Sequence, residues 1–105
     1  MKRIMDVATE ENVAVCWNSN DVDLEGEGLD YNFNLVKDRL GETVHVREMN
    51  VGNYPCDRLM KLLVAIDYSG WLLLECRTSP EDRIAALTEQ RQVFEQLVRQ
   101  ARADR

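Results

Sequence analysis

Along this chain a short apolar run followed by a helical stripe occurs three times. Residues 13–18 are apolar up to Trp17, include the β-branched Val13 and Val15, and stop at the polar group 18–21, which predicts a buried strand. Gly26 and Gly28 break the loop that follows. Leu29, Phe33, Val36 and Leu40 then recur at helical spacing, and Gly41 stands where a helix C-cap is expected. Residues 43–49 read as the second strand and residues 50–54 as a loop, with Pro55 in the first turn of a helix whose stripe is Leu59, Leu62, Leu63 and Ile66. After a turn at 67–70, the wholly apolar run 71–74 and its terminal Glu75 predict a third buried strand. Ser79 to Asp82 has a capping-box pattern, opening a long helix with Ile84, Leu87, Phe94, Leu97, Val98 and Ala101 on its apolar face.

A helical end at residues 1–10 therefore precedes a βαβαβα order. Continuous apolar strands alternating with amphipathic helices imply an α/β chain with a parallel sheet covered by helices. Residues 1–105 read as one domain without an internal linker.

Composition narrows the function. The chain is 45% hydrophobic and 30% charged, which suits a packed core, and its formal charge of −6 argues against a surface built to neutralise nucleic-acid phosphates or anionic lipid. No apolar run approaches the roughly 20 residues that span a bilayer, and no leader-like apolar segment follows the basic start, so a cytoplasmic protein is expected. Cys16, Cys56 and Cys76 are odd in number with no close pairing, which predicts reduced thiols. A small parallel sheet needs cover on both faces, and self-association is one way to supply it.

In parallel α/β folds, sites form outside the carboxyl ends of the strands. The polar residues there are Asn18, then His45 with Arg47 and Glu48, then Glu75. Alternation puts Thr43, His45 and Arg47 on one face of their strand and Val44 and Val46 on the other. His45 reads either as a hydrogen-bonded histidine in a polar layer or as a ligand. Glu75 reads either as an exposed carboxylate paired with Arg47 or Arg77, or as a metal-binding or catalytic group. An imidazole and a carboxylate on neighbouring strands can together bind a divalent cation that polarises a sugar carbonyl or hydroxyl. The acidic loop 21–30 places Asp21, Asp23, Glu25 and Gly26 at the first, third, fifth and sixth positions of a calcium loop. Asn32 at the twelfth position and a preceding strand depart from that pattern, so a solvated loop is the better account. Trp17, Trp71 and Tyr68 read as packing residues.

Three stretches, 12–18, 44–48 and 68–75, resemble the last three strands of sugar phosphate isomerases/epimerases of the xylose-isomerase-like TIM-barrel superfamily, in that family's order and at about its spacing. The resemblance covers roughly residues 12–98. It implies three consecutive βα units, equivalent to the last three of an eight-unit barrel, and hence a partial barrel. In that family a divalent metal is held by two Glu, one Asp and one His at the strand mouths. By resemblance His45 corresponds to the strand-seven ligand, and Glu75 to the strand-eight ligand and acid/base. Asn18 stands where the family usually has an Asp ligand, and Asp21 where a substrate-contacting His is common.

The resemblance thus implies the C-terminal portion of a metal-dependent sugar or sugar phosphate isomerase/epimerase, using Mn, Zn, Mg or Co. Its metal ligands would be His45, Glu75 and Asn18, with Arg47 and Asp21 contacting substrate. The first five units and the remaining Glu ligand are absent from the sequence, so an incomplete site is expected. A second reading is a non-catalytic partial barrel that self-associates as a homo-oligomer to cover its exposed sheet. A third is a small module using loop 21–30 for a cation or a basic partner.

Overall fold

The computed structural model describes residues 2–105; the Met1 end of the expected N-terminal helix lies outside them. The elements run α1 (Lys2–Val7), β1 (Val15–Asn18), a 3-10 turn (Asp21–Leu24), α2 (Leu29–Val36), a second 3-10 turn (Lys37–Arg39), β2 (Leu40–Val46), α3 (Cys56–Ala65), β3 (Trp71–Leu74) and α4 (Arg83–Ala103). The three strands form an open parallel sheet in the order β1-β2-β3, so the chain is mixed α/β as its periodicity predicts. It divides into two compact units, Met1–His45 with Ser69–Leu73, and Val46–Tyr68 with Leu74–Arg105.

In the first unit β1 pairs with β2 through Val15 and Leu40, Trp17 and Val44, and Asn18 and His45. Two residues of β1 thus span the same stretch as four of β2, and the irregularity falls beside Gly41. The sequence suggests Gly41 as a helix cap; the structure places it inside β2, after α2 has already ended at Val36. A Cβ on Gly41 would lie 3.3 Å from the Ala14 Cβ and 3.4 Å from the Val15 carbonyl, so glycine serves here to let β1 approach.

One side of this sheet packs. Val15, Trp17 and Val44 are buried, and Trp17 meets the buried ring of Phe33 from α2 edge-on at 5.4 Å between centroids. Arg39 closes the N-terminal end, its guanidinium donating to the carbonyls of Met5 (3.2 Å), Ala8 (3.0 Å) and Val13 (2.8 Å). Those oxygens lie in or beside the irregular segment between α1 and β1, where no ladder supplies a donor.

The other side of the sheet is more exposed. Cys16 and Asn18 are exposed and Thr43 and His45 are half-buried, as alternation predicts. β3 departs from expectation. Instead of a strand buried on both faces, it exposes Trp71 (72%) and Leu73 (41%) and half-buries Leu72 and Leu74. Trp71 is therefore not the packing residue its type suggests, whereas Trp17 is.

The second unit is built on the pair α3 and α4. Cys56, Leu59, Met60, Leu62 and Leu63 are buried on α3, and Ala101 is buried on α4. Each fully buried aliphatic side chain contributes roughly 1.5–3 kcal/mol. Lys61 pairs with Asp104 at 3.2 Å, and Arg105 pairs with Asp67, which has a left-handed φ of 52° just beyond α3. The expected Ser79 cap is replaced by Asp82, whose carboxylate accepts the Ala85 N–H at 3.0 Å. The early stripe of α4 also differs from expectation, because Ile84 and Leu87 are exposed.

Candidate functional site

In the first unit, the register sets Asn18 beside His45 at the carboxyl ends of two parallel strands, where α/β sites form. Ser19 fastens this end. Its N–H (3.1 Å) and its hydroxyl (2.8 Å) both donate to the His45 carbonyl, and the residue is buried. The Cys16 thiol lies 3.5 Å from the Thr43 hydroxyl on the same face. Sequence reasoning passed over Ser19, since nothing local marks a serine whose acceptor is 26 residues away.

Asp21 opens the 3-10 turn and is exposed. The acidic loop is ordered from within: the Asp23 carboxylate accepts the Asn20 N–H at 2.9 Å, and the Asn32 amide donates to the carbonyls of Asp23 (2.8 Å) and Glu25 (3.0 Å). At the twelfth position of a calcium loop a bidentate acceptor is needed, but Asn32 acts as a donor to the loop's own oxygens. The loop is largely exposed, as a solvated loop would be, and Asn32 does not serve as the twelfth-position acceptor.

The second unit holds Arg47, Glu48 and Glu75. The Glu75 N–H donates to the Val46 carbonyl at 2.7 Å, continuing the ladder one residue past β3, and its side chain is exposed. Arg47 is half-buried. Glu48, one of the polar residues at the strand ends, is tightly held. It accepts the Arg77 N–H (2.8 Å), the Thr78 N–H (2.9 Å) and the Thr78 hydroxyl. Those donors, the Thr78 hydroxyl first and the Arg77 N–H next, hold its pKa at about 2 against an ordinary 4.5. The loop after β2 is also tied to α4: the buried Gln90 accepts the Met49 N–H at 2.8 Å and donates to Asn50 at 2.7 Å, and Asn50 donates to Glu89 at 2.8 Å.

Asn18 and His45 offer an amide oxygen and an imidazole nitrogen, two neutral donors. Divalent cations of the kind the resemblance implies take about four or more donors, usually with carboxylates among them. Among the described residues no group of three or more His, Cys, Asp and Glu side chains is placed to hold a metal ion. Asn18 and His45 therefore do not by themselves amount to a metal centre. All three cysteines are free thiols, and burial pushes the Cys56 thiol pKa up. No helix among the described residues is long and apolar enough to cross a membrane. Compared with protein-family models, curated proteins and solved structures, the chain matches none of them.

Proposed function

We propose that this chain is a partial barrel of the sugar phosphate isomerase/epimerase type, with a site that needs donors from further strands. The reading is supported by the pairing of Asn18 with His45 at the carboxyl ends of parallel strands, where Asn18 is exposed and His45 half-buried. Completed by carboxylates from elsewhere, that pair would hold a divalent cation such as Mn, Zn, Mg or Co, which would polarise a sugar oxygen. In the same reading Asp21, in the same unit, contacts the sugar or sugar phosphate. The chain acts in the cytoplasm, and nucleic acid is not its partner, consistent with its charge of −6. Equilibrium dialysis against Mn²⁺ and Zn²⁺ tests this. Uptake by the wild type that His45→Ala and Asn18→Ala each abolish is the expected result; uptake indifferent to both substitutions would sink the reading.

A second reading is favoured by β3. Trp71 and Leu73 are exposed on one side of a strand. We propose that a second copy of the chain covers this apolar sheet face, giving a non-catalytic homo-oligomer. Light scattering on wild type and Trp71→Ser checks it: an oligomer that the substitution dissociates is expected, and a monomeric wild type ends the idea.

A further inference from the structure

The loops that follow β2 and β3 and the first turns of α4 enclose a cavity of about 380 Å³, wholly inside the second unit. That volume suits a small organic molecule, and loops at the carboxyl ends of parallel strands are where such molecules bind. Its walls are fixed before any ligand arrives. Gln90 and Asn50 fasten residues 49 and 50 to α4, and Glu48 fastens the same loop to residues 77 and 78. A prearranged wall spares a ligand the cost of ordering it.

The chemistry follows by subtraction. Of the two lining carboxylates, Glu48 already accepts from Arg77 and Thr78, and Glu89 already accepts from Asn50. Arg83 also lines the cavity, and its side chain has no protein partner among the described residues. Val51, Pro80 and Leu87 supply an apolar wall, and Val51 and Leu87 are large side chains left exposed at 62% and 55%. What remains charged for a ligand is one planar cation, suited to two parallel hydrogen bonds with a carboxylate, with the Ser79 hydroxyl and the Cys76 thiol also in the wall, beside a hydrophobic surface.

We propose that this cavity binds a small carboxylic acid with an apolar body, its carboxylate on Arg83 and its body against Val51 and Leu87. The inference is independent of the sugar reading and of the first unit. Cys76 lines the cavity and is an exposed thiol, whereas Cys16 is an exposed thiol in the other unit, so the chain carries both a reporter and a control.

The experiment is alkylation of the full chain by iodoacetamide, read peptide by peptide by mass spectrometry. Hexanoate, hexylamine and hexanol serve as matched probes. Hexanoate is expected to slow modification of Cys76 and leave Cys16 unchanged. Arg83→Gln should weaken that protection by about tenfold or more in concentration, the loss of a charge-assisted pair, and Arg83→Lys should restore part of it. Equal or better protection by hexylamine overturns the proposal in favour of a cation site at Glu48 and Glu89. Protection by hexanoate that persists in Arg83→Gln, protection by hexanol alone, or no protection by any probe also overturns it.

Discussion

The two units hold their polar groups in different ways. In the first, the sheet face that carries Asn18 and His45 is partly exposed, and the strand end is fixed at a backbone oxygen, by Ser19 on the His45 carbonyl. In the second, side chains are fixed: Glu48 by three donors, and Gln90 within a relay from Met49 to Glu89. Candidate ligands in the first unit are displayed but lack fellow donors. Several polar groups of the second are spent on building walls, and Arg83 is the cation they leave for recognition among the described residues.

The comparison can be broken most forcefully at the cores. Phe33→Ala in the first unit is expected to cost about 3–5 kcal/mol and Leu59→Ala in the second about 2–5 kcal/mol, both from lost burial and an unfilled void. Urea unfolding followed by circular dichroism gives both values, and a loss under 1 kcal/mol at either site would contradict its complete burial.

Glu48 comes next. Glu48→Ala removes an acceptor from three donors and should cost about 1–3 kcal/mol at neutral pH. The native pKa of about 2 lies below the ordinary 4.5, so the folded state favours the ionised form. The stabilisation is thus fully present above about pH 4.5 and is lost as pH falls toward 2. The gap in stability between wild type and variant should narrow across that window. A constant gap would mean that the carboxylate's charge is not what the donors hold.

Gly41→Ala is a smaller test, confined to the first unit. Its new methyl would press on Ala14 and on the Val15 carbonyl, for a loss of about 1 kcal/mol with the β1-β2 pairing strained. Trp71→Ser, by contrast, should shift the monomer's stability by no more than about 0.5 kcal/mol, because the indole is exposed. A large loss in a monomeric sample would mean that this side chain is covered in solution.

These sites also mark what sequence could and could not reveal. The βαβαβα order and the split of Thr43 and His45 from Val44 and Val46 were legible, because alternation along a strand is a local property. The burial of β3 was not. An apolar run states that a strand can be covered, and cover depends on what else the chain has to place over it. Gly41 misled for a related reason, since a helix cap and a close approach of two strands ask for the same missing Cβ. Ser79 and Asp82 both suit an N-cap, and only the backbone decides between them. Asn18, His45 and Glu75 drew notice by position, whereas Glu48 and Gln90 act on atoms 29 to 41 residues away and leave no short-range trace.

Arg39 carries a consequence for how the chain opens. Three carbonyls between residues 5 and 13 converge on one guanidinium, which latches the leading segment alongside the buried side chain of Met5. Release of that latch would free residues 2–13 together, as one step of partial unfolding well below the global transition. Amides of this stretch should then exchange with solvent at a shared rate, and Arg39→Lys, which retains the charge but cannot reach three oxygens with one fork, should quicken them as a group.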